Sequence, residues 1–247
     1  SAQTLNRLKA ALLRAAGVAH PRRQLLRALK LGHGGTLDPM ATGVLVVGLN
    51  GGCRELGAFL AGSKRYRAHG RFGTLYDTLD CTGTVTHVDP NWAACLPAPR
   101  ARALIEAQLL AMTGPAVPQR PPAFSAVHVD GQRAHQRARD ANAQHGAPAG
   151  READFELPAR PVAIHRIALL DVALPDFELD VECGGGCYVR AIIRDLAAAL
   201  GTVAHMTQLE RSQQGALFTL DHALPEPDWA SLDRIEQAIK DAQLRRQ

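Results

Sequence analysis

The densest chemical signal in the chain is the run Gly32-His33-Gly34-Gly35-Thr36-Leu37-Asp38-Pro39, which continues through Thr42 to Gly43. Glycines at this density let a backbone turn sharply and approach a ligand closely, which a loop needs if it is to hold one carboxylate, Asp38, against a substrate. A lone aspartate in a glycine-rich loop serves equally well as a turn cap, and taken alone the segment favours that reading. An aspartyl phosphotransfer nucleophile would need a second acid at the D-x-D-x-T spacing, but Pro39 and Met40 follow Asp38. That chemistry is excluded.

Lys64-Arg65-Tyr66-Arg67 sets an aromatic ring inside a cationic run. Such a pairing stacks a nucleobase while neutralising backbone phosphate, although an exposed basic edge strand with one packed tyrosine would look the same. Tyr188-Val189-Arg190 repeats the pairing directly after Gly184-Gly185-Gly186, where helix packing with a solvated arginine is the plainer reading. Gly57 to Lys64 comes within one transposition of a nucleotide-binding G-x-x-x-x-G-K-[ST] loop. Here, however, Ser63 precedes Lys64 and the intervening residues are apolar helix formers. Cys183 and Cys187 flank the glycine triplet without a second Cys/His pair at zinc-ligand spacing, so no metal is expected there. A metal-dependent nuclease or phosphatase would need an acidic cluster that the sequence lacks.

These candidates must be carried by elements that the pattern predicts in turn. A helix is expected to about Ala16, capped by Ser1, stopped by Gly17, with Leu5, Leu8 and Leu12 on one face. A basic stretch follows, with His20, Arg22, Arg23, Arg27 and Lys30. Gly43 to Leu49 reads as a buried strand, Cys53 to Leu60 as a short helix, and 64–72 as a strand with one wet side whose partner is expected at Gly83 to Val88. Pro99 to Met112 is a helix, Ala126 to Val129 is extended, and Asp130-Gly131 marks a tight turn. Residues 132–142 form an Arg-rich helix or loop, and a surface connection runs on to Pro161. Two strands, 162–172 and 177–183, precede a helix from Tyr188 to Leu200 capped by Gly201, and one more helix runs from Trp229 to about Leu244. Strand pairs with intervening helices, and no regular βαβ alternation, give an α+β fold around a mixed, mainly antiparallel sheet.

Composition bounds the partners. The 247 residues are 46% hydrophobic and 21% charged, ordinary for globular protein, and 28 Lys plus Arg against 24 Asp plus Glu permits an anionic partner without demanding one. No apolar run nears the roughly 18 residues of a membrane span. Five scattered cysteines make a disulfide framework improbable, so reduced thiols in an intracellular compartment are expected.

Together these segments resemble the TruB-type tRNA pseudouridine synthases, and the eukaryotic-type members more than the bacterial ones. The resemblance rests on Gly32 through Leu45, on Ser63-Lys64-Arg65-Tyr66, and on Thr74, Asp77-Thr78-Leu79-Asp80 and Gly83. It continues through Pro121-Pro122 with Ser125-Ala126, Ala159-Arg160-Pro161-Val162, and Asp180 to Gly186 with Tyr188 and Arg190, closing on Leu209 and Arg211. The motifs run in family order over nearly the whole chain.

The resemblance implies the pseudouridine synthase fold as a single catalytic domain over 1–247, with an RNA-clamping thumb-like insertion at about 125–150. It implies isomerisation of a uridine in the T-arm loop of tRNA by base flipping, with no cofactor and no metal. T-arm-like messenger-RNA hairpins are an open further substrate, and action as a single chain away from membranes is the simpler expectation. By position Asp38 is the catalytic aspartate, Arg190 its cationic partner, and Tyr66 the tyrosine that stacks on the flipped base. His33 takes the place vacated by that base, Leu209 packs against uracil, and Lys64, Tyr188, Gly35 and Thr36 are substrate neighbours. Arg65, Arg133, Arg137 and Arg139, with His135, are implied RNA contacts. Family members carry a Lys-Pro-x-Gly-x-Ser/Thr strand just ahead of the residue matching Ser1, and bacterial members add a PUA-type domain. Neither is found in this sequence, and Glu210 replaces a basic residue common in bacterial members. The alternative from another class is an RNA-binding or RNA-folding protein on the same scaffold. Retention of Asp38, Tyr66 and Arg190 together argues against it.

Overall fold

In the computed structural model of the chain, residues 1–18, 28–125, 127–129, 132–134 and 157–245 are described. The chain divides into two compact units, Ser1–Arg65 with Glu210–Gln247, and Tyr66–Leu209.

The first unit opens with helix α1, Ala2–Ala15, which buries Leu8, Ala11 and Leu13 and ends at Gly17 in the left-handed conformation (φ 75°). Ser1 stands at the N-cap position, but its hydroxyl does not cap the helix. It accepts instead from the Leu37 N–H at 2.9 Å, tying the helix start to the glycine-rich loop. Strand β1, Leu31–His33, pairs antiparallel with β3, Val47–Leu49, and between them β2, Thr42–Gly43, lies parallel to Glu210 and Arg211. The expected single strand over 43–49 is therefore two short ones. Gly43 explains the break: its φ is 98°, and a Cβ there would stand 2.3 Å from the Arg211 carbonyl oxygen, so only glycine lets the two main chains meet. A 3-10 turn, Asn50–Glu55, leads into helix α2, Leu56–Ala61, later than the helix expected from Cys53.

Strand β4, Lys64–Phe72, belongs to the second unit from Tyr66 on, and its residues alternate between buried and more exposed positions. Tyr66, Ala68, Gly70 and Phe72 are buried, whereas Arg67 and Arg71 are exposed and pair with Glu178 and, at 3.8 Å, Asp176. The expected partnership with 83–88 does not form. Gly73 turns the chain with φ 90° and donates to the Val203 carbonyl at 2.8 Å, so β5, Thr74–Tyr76, pairs with β6, Val85–Val88, as a separate hairpin.

Helices α3, Trp92–Cys95, and α4, Ala98–Ala111, follow; α4 buries Ala101, Ile105 and Leu109, one residue per turn. Strand β7, Gly114–Gln119, comes next, and the two-residue strands β8, His128–Val129, and β9, Gln132–Arg133, pair antiparallel. Asp130-Gly131 between them lies outside the described residues. Strands β10, Arg160–Ala173, and β11, Asp176–Cys183, form the long central hairpin, with Leu179, Val181 and Cys183 fully buried. Helix α5, Val189–Ala199, presses Ile192, Ile193, Leu196 and Ala197 into the core, each apolar side chain worth about 1–3 kcal/mol in transfer free energy.

Strand β12, Ala204–Gln214, β13, Phe218–Thr219, and helix α6, Leu232–Leu244, complete the chain. The helix starts after Trp229 because Ser231 caps it, accepting from the Arg234 N–H at 3.3 Å. The main sheet runs β13-β12-β4-β11-β10-β7, with β2 added beside β12. Pairs β7/β10, β10/β11 and β12/β13 are antiparallel and β2/β12 parallel, so the α+β fold has the expected mixed, mainly antiparallel sheet. Among the described residues no helix is long and apolar enough to cross a membrane. All five cysteines are free.

Candidate functional site

In the first unit the glycine-rich loop leaves β1 and returns through β2. Gly34 and Gly35 are buried, His33 and Asp38 are half-buried, and Thr36 is exposed. Asp38 opens a tight turn in which the Ala41 N–H donates to its main-chain carbonyl at 3.0 Å. The Gly35 N–H approaches His33 Nδ1 at 3.4 Å. Burial, with the positive charge of Arg211 adding to it, pushes the His33 imidazole below its usual range and favours the neutral ring whose lone pair accepts that contact.

Two cations are buried beside this loop. The Lys64 ammonium donates to the Leu60 and Gly62 carbonyls, each at 2.6 Å, at the C-terminal end of α2 where cations are stabilised by the unpaired carbonyls. The Arg211 side chain, 1% exposed, donates through Nε to the Val44 carbonyl at 2.7 Å and through Nη2 to the Gly35 carbonyl at 3.2 Å. Gln214, fully buried, donates to the Gly34 carbonyl and accepts from the Val46 N–H at 3.1 Å. Arg65 is exposed, and its main-chain carbonyl accepts from the Ser212 hydroxyl at 3.2 Å.

In the second unit Arg190 is 4% exposed although it lies in the first turn of α5. Its Nη1 donates to the Thr78 carbonyl at 2.6 Å and stands 3.6 Å from Asp80 Oδ2, while Nη2 donates to the Phe124 carbonyl at 3.2 Å. Asp80 is itself 1% exposed, and its Oδ1 accepts from the Thr82 N–H and the Thr78 hydroxyl, both at 3.0 Å. The 78–82 turn is thus built to hold one buried carboxylate against one buried guanidinium. Leu79 between them has φ 62°, a strained conformation for a leucine.

Leu209, 6% exposed, lies on β12, which is laddered to the same turn through the Met206 N–H on the Leu79 carbonyl and the Cys81 N–H on the Met206 carbonyl. Tyr188 caps α5. Its N–H donates to Gln119 Oε1 at 2.8 Å and its carbonyl accepts from Gln119 Nε2 at 3.2 Å, and the Arg160 guanidinium stands 5.8 Å from its ring centroid. Tyr66 is buried in the inward row of β4.

The structure brings His33, Gly35, Thr36 and Asp38 together on one loop in the first unit, with Lys64 flanking Gly35. In the second it sets Arg190 against the 78–82 turn, with Leu209 further along β12, the strand laddered to that turn through Met206. Arg133 pairs through its backbone with His128, whereas His135, Arg137 and Arg139 lie outside the described residues. Reading the sequence assigned no role to Asp80, Gln119 or Gln214. Asp80 stood inside a quoted motif, but the glutamines carry no local signal, because their partners lie 69 and 168 or more residues away. Among the described residues no group of three or more His, Cys, Asp or Glu side chains could hold a metal ion.

Comparison with known proteins places this arrangement. Residues 23–189 match the family described as TruB family pseudouridylate synthase (N terminal domain). The chain is 41% identical over 242 residues to pseudouridylate synthase TRUB1 of Mus musculus, covering 97% of the chain and 66% of that protein. It is 40% identical over 220 residues to tRNA pseudouridine synthase B of Corynebacterium aurimucosum, covering 87% of the chain and again 66% of the relative. The chain therefore spans just under two thirds of either relative's length. In fold it resembles a chain from the crystal structure of a Cbf5-Nop10-Gar1 complex, with TM-score 0.54 at 24% identity over 93% of this chain and 54% of that one. A match over most of its length, running through the Asp38 loop and the Asp80 turn to the start of α5, makes this chain a member of the TruB family of pseudouridylate synthases.

Proposed function

We propose that this chain isomerises uridine to pseudouridine in the T-arm loop of tRNA, with Asp38 as the essential acid. The observation that carries the reading is Asp38 itself, on a loop fastened by buried side chains inside the segment that matches the family. The names of the relatives, pseudouridylate synthase and tRNA pseudouridine synthase B, support the substrate class.

The chemistry is an internal exchange. The bond from the sugar to N1 of uracil breaks, the ring turns, and a bond from the same sugar carbon forms to C5. The C5 proton leaves and N1 gains one, so no electrons are lost or gained overall. Asp38 attacks or assists at the sugar or base, with Arg190 as its cationic partner. Tyr66 stacks on the extruded base and helps remove the C5 proton, while His33 fills the vacancy that flipping leaves. Leu209 packs on uracil, with Lys64, Tyr188, Gly35 and Thr36 as its neighbours. Arg65, Arg133, Arg137 and Arg139 take phosphates, the last three on the thumb-like insertion at about 125–150. T-arm-shaped messenger-RNA hairpins, action as a single catalytic domain, and an intracellular location belong to the same proposal.

The test is release of tritium from T-arm RNA labelled at C5 of uridine, comparing the wild type with Asp38→Asn. Release by the wild type that is lost in Asp38→Asn, while RNA binding survives, is the expected result. Tight RNA binding with no release from the wild type would replace the enzyme reading with an RNA-binding one.

A further inference from the structure

The ribbon of β1 and β3 carries one interruption at the mouth of the Asp38 loop. Leu31 faces Leu49, Gly32 faces Gly48 and His33 faces Val47, so the next pair in this antiparallel register is Gly34 with Val46. A hydrogen-bonded antiparallel pair exchanges two bonds. Here the first is made: the Gly34 N–H donates to the Val46 carbonyl at 2.9 Å. The second, from the Val46 N–H to the Gly34 carbonyl, is replaced by the carboxamide of Gln214. Val46 donates to Gln214 Oε1 at 3.1 Å, and Gln214 Nε2 donates to the Gly34 carbonyl. The side chain stands in for a peptide group inserted into the ladder, and it is fully buried.

This substitution has a geometric consequence. An ordinary second bond would zip Gly34 against Val46 and pull the strands to ladder spacing on both sides. An amide placed between them holds that side open while leaving neither main-chain group unpaired. One step further into the loop the Arg211 guanidinium repeats the device, linking the Gly35 and Val44 carbonyls at 3.2 and 2.7 Å. The rest of the loop beyond these two staples, Asp38 included, hangs from a neck whose width is set by side chains of β12. A primary carboxamide suits the Gln214 position because it offers one donor and one acceptor in a plane, the complement of a peptide group. Glutamate would lose the donor when ionised, and methionine would keep the length and lose both bonds.

We propose that Gln214 is a positioning residue for the isomerisation: by bridging Gly34 and Val46 it sets the neck of the loop that presents Asp38. The proposal rests on the functional reading above and adds to it a residue that itself touches no substrate. Its effect should fall on the chemical step more than on RNA capture, because a displacement of about 1 Å in a reacting group can cost on the order of 100-fold in rate.

The experiment compares the full chain with Gln214→Met, Gln214→Glu and the neighbouring control Gln213→Ala. Steady-state pseudouridine formation on T-arm RNA is read together with amide hydrogen exchange at Val46. Expected for Gln214→Met is a fall in kcat of about 100-fold with KM changed by less than about 3-fold, and faster exchange at Val46. Gln214→Glu should show a similar loss of kcat with Val46 still protected, because the carboxylate keeps the acceptor and loses only the donor. Gln213→Ala should match the wild type. A wild-type kcat in Gln214→Met would show that volume alone suffices, and a rise in KM at constant kcat would move the residue to RNA capture; either overturns the proposal. Failure of both Gln214 variants to fold would make the glutamine structural only and also overturn it. A wild type that makes no pseudouridine, while Val46 exchange responds as stated, would sink the functional reading and leave the neck geometry intact.

Discussion

Arg190 and Asp80 face each other at 3.6 Å with both side chains almost wholly withdrawn from water. Two unit charges at that depth are tolerated because every exposed direction is closed by another polar group, the Thr78 and Phe124 carbonyls on the guanidinium and the Thr78 and Thr82 donors on the carboxylate. The pair anchors the first turn of α5, and with it Tyr188, to the 78–82 turn.

Removing one member leaves the other as a buried charge without its counter-ion. Asp80→Ala should cost about 3–5 kcal/mol, seen as a Tm lowered by roughly 6 °C or more. Arg190→Met alone should be comparably harmful, whereas the double variant should recover part of the loss. Additive effects in that double-mutant cycle, measured by chemical denaturation, would show that the two charges are not coupled.

Gly43 is predicted to tolerate no side chain. Gly43→Ala combines a left-handed backbone with a Cβ 2.3 Å from the Arg211 carbonyl, so β2 must leave β12 or the loop must shift. A loss of about 2 kcal/mol or more is expected, with reduced pseudouridine formation as the Asp38 loop moves. A wild-type melting curve would contradict it.

Gln119→Leu keeps the buried volume but leaves the Tyr188 N–H and carbonyl without their partner. The expected cost is about 2 kcal/mol by denaturant titration. Gln119→Glu should retain the acceptor half and lose less.

Stability should fall as the medium becomes acidic. His205, 5% exposed, is held below its usual range by burial, although its Nδ1 contact with the Thr74 carbonyl at 2.9 Å opposes the shift; His33 is lowered in the same direction, again by burial first. Both sites therefore favour the neutral ring in the folded state. As pH drops through the ordinary imidazole range the unfolded chain takes up protons that the folded chain refuses, so their contribution is complete above that range and is lost below it. Melting temperatures between about pH 8 and about pH 5.5 should show this decline, and His205→Asn should flatten it. An unchanged slope in that variant would remove His205 as a cause.

Most of the helices, the Asp38 loop and the long strands β4, β10 and β11 were legible in the sequence because each is a local pattern: glycine density, period-two alternation, period-3.6 burial and helix stops at Gly17 and Gly201. Family membership was legible for the same reason, since its motifs are contiguous. Pairing was not. Residues 83–88 looked like a partner for β4 on proximity alone, and the turn at Gly73 gave them to β5 instead. Gly43 to Leu49 read as one apolar strand because periodicity cannot register that a main chain from β12 arrives at Gly43. The same blindness hid Asp80, Gln119 and Gln214. An acid or a glutamine has ordinary meaning until the fold brings carbonyls and N–H groups from distant segments to its side chain, and that is a matter of tertiary contact. By itself the sequence determined most of the helices, the long strands β4, β10 and β11, the family and which acid to suspect. Only the tertiary structure decided which buried polar groups hold that acid's loop open, because hydrogen bonds across long sequence separations leave no periodic trace.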